Sequence, residues 1–210
     1  MSSENDGKGR LFVVSGPSGA GKSTVIGRAM SQRGDMEFSI SATTRPMREG
    51  EVHGKHYYFV NREEFMEMVE NGGLLEYNAY LGNLYGTPLA PVRERIESGG
   101  LMILDVETNG AHNVKELMPD CVTIYLTPST FEELERRLVR RGTEDADLIS
   151  DRMAQARTDS VYAESFDYII INDNIDDAVQ DFMAIIDGSG DYCRASARID
   201  SIEISAQSER

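Results

Sequence analysis

The chain has 210 residues, 40% of them hydrophobic, and a formal net charge of −15 from 21 basic and 36 acidic residues. This length supports one core with small inserted lobes, and the acidic balance argues against a general binder of nucleic acid or of anionic membranes. A site for an anionic nucleotide therefore needs locally concentrated arginine and lysine. The two cysteines have no disulfide or metal spacing, and the polar N-terminus has no signal-peptide core, so we expect a cytoplasmic protein.

The first predicted element is a short buried strand, Leu11–Val14, which is followed by a glycine-rich turn and a helix that begins at Thr24. The turn fits G-x-x-x-x-G-K-[ST], the phosphate-binding P-loop, and reads Gly16-Pro17-Ser18-Gly19-Ala20-Gly21-Lys22-Ser23. Its backbone N–H groups and the helix N-terminus would attract phosphate, with Lys22 reaching the outer phosphates and Ser23 ligating Mg²⁺. An ordinary strand-to-helix loop is the alternative, but the fixed Gly, Lys and Ser favour a nucleoside triphosphate site.

Residues 38–87 differ from the rest because short strand candidates follow one another with a single helix among them. That helix is Arg62–Glu70, where Asn61 and Glu64 form a capping box. Strands without alternating helices predict a small mixed or antiparallel lobe inserted into a parallel core. The strand candidates are Phe38–Ser41, Tyr57–Val60, Gly73–Tyr80 and Leu84–Thr87.

Arg45 and Arg48 lie in the predicted loop after the first of these strands. Two guanidinium groups on a fixed loop can form a bidentate clamp for a phosphate. The alternative is that both are solvated surface arginines, and the local pattern leaves the two interpretations equally open.

Glu76 is the lobe's candidate for base recognition. A carboxylate can accept hydrogen bonds from both N1–H and the 2-amino group of guanine, a donor pair that adenine lacks. Tyr57 and Tyr85 could donate to a phosphate or stack on a base, and Thr87 lies nearby in the same lobe. Taken alone, a glutamate and tyrosines in such a lobe are more often ordinary surface and core residues.

The remainder of the chain alternates between helices and nearly continuous apolar runs. Pro88 is predicted to be the first residue of a helix capped by Thr87 and ended by Gly99 and Gly100. Runs of this kind are typical of strands buried on both faces of a parallel sheet, and the alternation predicts an α/β sheet with helices on both faces. The predicted strands are Leu101–Val106, Val122–Leu126 and Tyr168–Ile171, and the predicted helices are Glu107–Leu117, Thr130–Arg141 and Ile175–Ile186.

Charged residues mark two positions in this second half. Asp105 ends an apolar strand, where P-loop proteins place the acid that organises Mg²⁺, and Glu107 follows two residues later; the alternative is a pair of carboxylates that cap the next helix.

The second position is an arginine cluster beside a polar, acidic segment, 142–147, which is a candidate mobile lid. Such arginines could cover the charge on a transferring phosphoryl group, and the alternative is a solvated helix face with pairs such as Glu133 with Arg137. The cluster comprises Arg136, Arg137, Arg140 and Arg141, with Arg152 on the helix that follows.

Together these residues resemble the guanylate kinase family from about Arg10 to Asp187. The resemblance rests on five segments: Ser15–Thr24, Ser41–Tyr57, Gly82–Thr87, Arg136–Gly142 and Ile171–Asp173. The second of them is highly specific to the family, whereas a P-loop alone would not distinguish among many NTPases.

The resemblance implies a P-loop nucleoside monophosphate kinase-like α/β fold over residues 8–187. It would comprise a parallel-sheet core flanked by helices (8–37, 88–136 and 160–187), an inserted mixed-sheet GMP-binding lobe (38–87) and a helical lid (137–159). The tail, 188–210, has no counterpart, and both weak secondary structure and disorder stay open for it. A monomer or a homodimer is expected.

The activity implied is Mg²⁺-dependent transfer of the ATP γ-phosphoryl group to GMP, and to dGMP, giving GDP and ADP in purine nucleotide metabolism and GMP recycling. Three sets of residues match family positions. The catalytic set is Lys22, Arg48, Arg141 and Arg152. The ATP-binding set is the P-loop from Gly16 to Ser23 with Thr24, Asn172 and Asp173. The GMP-binding set is Ser41, Arg45, Arg48, Glu51, Tyr57, Glu76, Tyr85, Thr87 and Asp105.

One departure concerns the metal. The family usually reads Asp-x-Asp-x-Gln-Gly after the apolar strand, and this chain reads Asp105-Val-Glu-Thr-Asn-Gly110. Glu107 keeps the charge on a longer arm and Asn109 shortens the amide. Ser23 is therefore the expected Mg²⁺ ligand, with Asp105 and Glu107 as candidates acting through water.

Two rival functions stay open. Some guanylate kinase-like domains bind phosphopeptides without catalysis, and intact Lys22 and Ser23 argue against that here. A related kinase could act on another phosphorylated acceptor, and Glu76 is the residue that discriminates against it.

Overall fold

The computed structural model describes residues 9–80, 82–140 and 146–188. The strands are β1 (Arg10–Ser15), β2 (Met36–Phe38), β3 (Ala42–Thr43), β4 (Tyr58–Phe59), β5 (Leu74–Tyr80), β6 (Asn83–Pro88), β7 (Leu101–Asp105), β8 (Val122–Thr127) and β9 (Tyr168–Ile171). The helices are α1 (Lys22–Gln32), α2 (Arg62–Glu70), α3 (Leu89–Glu97), α4 (Thr108–Leu117), α5 (Phe131–Arg140), α6 (Ala146–Ser160) and α7 (Ile175–Ile186), with a 3₁₀ turn at Ala163–Ser165. These elements divide into two compact units, the first covering 9–11, 35–104 and 109–121 and the second covering 12–34, 105–108 and 122–188.

The first unit contains a four-stranded mixed sheet with the order β4-β3-β6-β5. β3 pairs with β4 in parallel and with β6 antiparallel, and β5 and β6 form an antiparallel hairpin. α2 covers this sheet through Phe65, which is buried against Leu74 and Leu84. The same unit holds the parallel pair β2 and β7. The predicted mixed sheet is therefore confirmed.

The start of α2 matches the prediction from the sequence, whereas the start of α3 does not. Asn61 and Glu64 form the predicted capping box, each side chain accepting from the other's backbone N–H. Pro88, however, is the N-cap of α3 and not its first residue, and no side chain caps that helix. The prediction that Thr87 caps it is wrong, because its hydroxyl donates to Glu76 across the hairpin.

The second unit is built on the parallel strands β1, β8 and β9. Val14 lies opposite Ile124, and Leu126 lies opposite Ile170, so the apolar runs face one another in register. α5 and α6 pack through a cluster that includes Leu134, Leu138 and Met153. Strands that are buried on both faces explain why these segments read as continuous hydrophobic runs. The predicted parallel α/β core is confirmed.

Boundaries of the second-half elements shift by one residue from their predicted positions. The run predicted as a strand over Leu101–Val106 ends at Asp105, and the predicted helices start at Thr108 and Phe131. The predicted strand Phe38–Ser41 is also wrong in position, because β2 ends at Phe38 and β3 starts only at Ala42. Within the described ranges, no helix is both long and apolar enough to cross a bilayer.

Candidate active site

The loop between β1 and α1 adopts the conformation that a P-loop requires. Gly16 and Gly21 have φ angles of 137° and 96°, in the region that L-residues rarely adopt. A Cβ atom on Gly16 would lie 2.0 Å from the carbonyl oxygen of Leu126, and one on Gly21 would lie 2.4 Å from Nδ2 of Asn172. Glycine is therefore required at both positions, by backbone angle and by close neighbours alike.

Lys22 is the first residue of α1 and folds back over this loop. Its Nζ donates to the carbonyl oxygen of Gly16 at 2.6 Å and lies 3.7 Å from Oδ1 of Asp105. Burial raises the pKa of Asp105 above its usual value, and the charge of Lys22 acts in the opposite direction. Ser23 and Thr24 are exposed in the first turn of α1, where backbone N–H groups and the helix dipole favour an anion.

Asn172 supports the loop from behind. This residue is only 4% exposed, and its Nδ2 donates to the carbonyl oxygen of Ala20 at 2.7 Å. Its own backbone N–H donates to Thr127 at 2.9 Å. The neighbouring Asp173 is exposed and accepts from the backbone N–H of Ser129 at 2.9 Å. The two residues assigned together to the ATP site thus have different surroundings, since one is enclosed and the other faces solvent.

Arg137, named from the sequence only as a member of the arginine cluster, also supports this loop. Its Nη2 donates to the carbonyl oxygen of Asn172 at 2.7 Å, and its Nη1 contacts that of Ala20 at 3.4 Å. The predicted pair with Glu133 is present, with Nε donating to the carboxylate at 2.7 Å. Its position three residues after Leu134, which lies on the buried face of α5, is the sequence signal that Arg137 is drawn towards the interior.

One of the predicted catalytic arginines of the lid reaches the P-loop. Arg152 lies on α6, and its Nη1 donates to Oγ of Ser18 at 2.6 Å. Arg136 on α5 pairs with Glu133 and has a side chain that is 76% exposed. Arg141 lies outside the described residues. The second unit therefore brings Lys22 and Arg152 to the same loop.

In the first unit, Glu51 binds two of the predicted phosphate-site arginines. Its carboxylate accepts from Nη1 and Nη2 of Arg45 at 2.7 and 2.5 Å, and from the backbone N–H of Arg48 at 2.7 Å. The hydrogen bonds that Glu51 accepts, first from the side chain of Arg45 and then from the backbone of Arg48, lower its pKa to about 2. The hydrogen bond to Glu51 also raises the pKa of Arg45 above its usual value. The guanidinium carbon of Arg45 lies 5.1 Å from the centre of the Tyr57 ring.

The tyrosines and Ser41 lie around this arginine pair. The rings of Tyr57 and Tyr85 meet edge to face with centroids 6.1 Å apart. Ser41 is half-buried, and its carbonyl oxygen accepts from the backbone N–H of Tyr58 at 2.9 Å. Arg48 leaves its side chain exposed. A fixed guanidinium, an exposed one and two phenolic rings are thus gathered on one loop and its neighbouring strands.

Glu76 is a buried carboxylate in the same unit. It is 8% exposed, and its Oε1 accepts from the hydroxyl of Thr87, which is 1% exposed, at 2.6 Å. The hydrogen bond from Thr87 holds the side chain of Glu76 in a fixed position inside the strand hairpin.

Comparison with known proteins decides the family. A sequence model described as guanylate kinase matches residues 8–189. The chain belongs to the guanylate kinase family. It is 48% identical over 181 residues to a guanylate kinase of Lactobacillus delbrueckii subsp. bulgaricus, covering 86% of this chain and 89% of that one. It is 44% identical over 187 residues to a guanylate kinase of Shouchella clausii, covering 89% and 90%.

A solved structure agrees with this assignment. The crystal structure of guanylate kinase from Anaplasma phagocytophilum matches with a TM-score of 0.69 at 30% identity, covering 89% of this chain and 88% of that one. The resemblance inferred from the sequence and the α/β fold expected of a guanylate kinase are both confirmed.

The metal donors predicted for this guanylate kinase family member are Ser23, Asp105 and Glu107. Ser23 and Glu107 are exposed, and Asp105 contacts Lys22. Among the described residues, no group of three or more histidine, cysteine, aspartate or glutamate side chains could hold a metal ion. Such a donor set does not form an all-protein cage, and it fits an ion bound chiefly by nucleotide phosphates.

Proposed function

We propose that the chain transfers the γ-phosphoryl group of ATP to GMP, and to dGMP, giving GDP and ADP in purine nucleotide metabolism and GMP recycling. The observation that carries this proposal is the buried carboxylate of Glu76 with Thr87 at 2.6 Å. A carboxylate offers about four lone-pair positions, so it can accept from guanine N1–H and the 2-amino group while it keeps Thr87. Family membership supports the same activity.

The donor nucleotide, ATP, is assigned to the P-loop. Backbone N–H groups and the start of α1 would bind its phosphates, and Lys22 would move from Gly16 to the outer phosphates. Arg152, already at Ser18, would approach the same phosphates. The proposed ATP-binding set is Gly16 to Thr24 with Asn172 and Asp173.

Mg²⁺ is proposed to enter with ATP. The hydroxyl of Ser23 is an oxygen donor of the kind that Mg²⁺ prefers, and Asp105 and Glu107 would act through water. When bound, the ion neutralises charge on the phosphate oxygens.

The acceptor, GMP, is assigned to the mixed-sheet unit. Arg45 and Arg48 would bind its phosphate, with Tyr57 and Tyr85 donating hydroxyl groups. Because a carboxylate repels a phosphate, Glu51 would contribute through the two arginines that it holds. The remaining proposed residues of this set are Ser41, Glu76, Thr87 and Asp105.

Phosphoryl transfer requires that the two nucleotides are positioned and that the charge on the transferring group is neutralised. The phosphate oxygen of GMP is already ionised at neutral pH, so the attack needs no general base. The transition state is loose, and its charge would be stabilised by Lys22, Arg48, Arg141 and Arg152. The subunit state, monomer or homodimer, is a prediction.

A screen of acceptors tests the proposal. ADP formation from ATP would be followed by a coupled assay with GMP, dGMP, AMP, UMP and CMP in turn. We expect the guanine nucleotides to be preferred, and Glu76→Gln to raise the KM for GMP while leaving the KM for ATP unchanged. Glu67→Gln, an exposed glutamate on α2 of the same unit, is the matched control. No ADP formation with GMP would refute the proposal and favour a binding module, and a preference for another base would favour a different kinase.

A further inference from the structure

Gly110 is the third residue of α4 and is buried. A Cβ atom placed on it would lie 3.0 Å from Oε2 of Glu76, 3.3 Å from its Cγ and 3.4 Å from its Cδ. The end of the Glu76 side chain therefore lies closer to this Cβ position than side chains normally approach a Cβ atom.

Helix stability does not explain a glycine at this position. Glycine in a helix interior costs about 1 kcal/mol relative to alanine, and Gly110 does not have a positive φ angle. The helix would accept alanine on backbone grounds, so the reason for glycine lies in the contact with Glu76.

Glu76 has little freedom to move away from α4. Its Oε1 is bound to Thr87, and its own strand is pressed against β6, where a Cβ on Gly86 would lie 2.9 Å from the carbonyl oxygen of Glu76. The residue is thus enclosed by β6 on one side and by α4 on the other. A side chain at position 110 would therefore force the Glu76 side chain to shift by a few tenths of an ångström.

We propose that Gly110 is a specificity-determining position. The absence of a side chain there leaves room for the Glu76 carboxylate to accept hydrogen bonds from guanine N1–H and the 2-amino group. The inference rests on the proposed function, since it assumes that Glu76 contacts guanine. Recognition by a buried hydrogen-bonding group is sensitive to its position, because a displaced carboxylate loses donors that nothing else replaces. The effect of a side chain here should therefore fall on the choice of base more than on turnover.

Gly110→Ala tests this, with Gly27→Ala as the matched control. Gly27 also lies inside a helix, α1, and a Cβ there would meet nothing within 4 Å. The measurement is kcat/KM for GMP and for IMP, whose base lacks the 2-amino group. We expect Gly110→Ala to lower the value for GMP by roughly 10- to 100-fold, the worth of a hydrogen bond to a charged group, and to lower that for IMP less. The GMP/IMP ratio should therefore narrow only in this variant.

Different results would refute the proposed function and the role of Gly110. A wild-type enzyme without GMP-dependent activity would refute the proposed function. An active wild type with the same GMP/IMP ratio in Gly110→Ala would overturn the role of Gly110 alone. If Gly110→Ala does not fold, the double variant with Glu76→Asp, whose arm is one carbon shorter, becomes the test. Recovery of folded protein in the double variant would support the steric contact, and failure of both would overturn it.

Discussion

Replacing Asn172 by alanine removes the amide that holds the P-loop from behind. The carbonyl oxygen of Ala20 would lose its donor at 2.7 Å and keep only Arg137, at 3.4 Å. Both Asn172 and Ala20 are buried, so water does not replace the lost partner without further rearrangement.

The size of the effect follows from the desolvated carbonyl. Leaving a buried acceptor fully unsatisfied costs roughly 1–3 kcal/mol, which is an upper limit here because Arg137 keeps its contact with Ala20. For a domain of this length, each kcal/mol shifts the Tm by about 2–4 °C, so we expect a decrease of roughly 2–12 °C. If the free energy needed to restore the loop conformation is taken from ATP binding, the affinity for ATP falls by roughly 5- to 150-fold. The loss in the free energy of unfolding sets the upper limit of this decrease in affinity.

The assay is calorimetric titration with ATP together with thermal unfolding, and Asn174→Ala is the control. Asn174 lies two residues further on and caps α7 by accepting from the backbone N–H of Asp176 at 2.9 Å. Loss of such a cap costs roughly 0.5–2 kcal/mol, which is a comparable destabilisation without a contact to the P-loop. Equal affinities for ATP in the two variants would refute the reasoning, because they would show that the Asn172 amide does not maintain the binding conformation.

Two further predictions concern charge. The pKa of Glu51 is about 2 when folded, against an ordinary value of 4.5, so its stabilising contribution is complete above the ordinary value and is lost as the pH falls towards 2. The urea midpoint should therefore fall more steeply between pH 5 and pH 3 in the wild type than in Glu51→Gln, and parallel pH profiles would contradict this. Arg152→Ala should lower kcat by roughly 10²- to 10⁵-fold, whereas Arg136→Ala, which changes an exposed arginine, should keep the wild-type kcat in a steady-state assay.

Much of the fold follows from local pattern. β8 and β9 are recognisable because residues buried on both faces, such as Ile124 and Ile170, leave no polar alternation. α2 is recognisable because its cap needs only Asn61 and Glu64, three residues apart. These signals depend on neighbours along the chain, and the structure preserves them.

The errors and omissions involve partners that are distant in sequence. Thr87 has the composition of a helix cap, but its hydroxyl finds Glu76, 11 residues earlier, on the adjacent strand. Arg137 contacts Ala20 across 117 residues. Gly110 matches the last residue of the family pattern, but the contact that explains the glycine is with Glu76, which is distant in sequence. Of the predicted catalytic arginines, Arg141 lies outside the described residues, and the division into core, lobe and lid stays a prediction.

The ion pair between Arg45 and Glu51 is relevant to product release. Arg45, Glu51 and Arg48 together carry one net positive charge, although two guanidinium groups are present. GDP carries more negative charge than GMP, and two uncompensated arginines would retain it more strongly than the substrate. A clamp that is already half neutralised fixes the direction of its donors while limiting electrostatic retention, and tight binding of a product slows its departure. If Arg45 and Arg48 bind the phosphate as proposed, the carboxylate of Glu51 suits this site to repeated turnover.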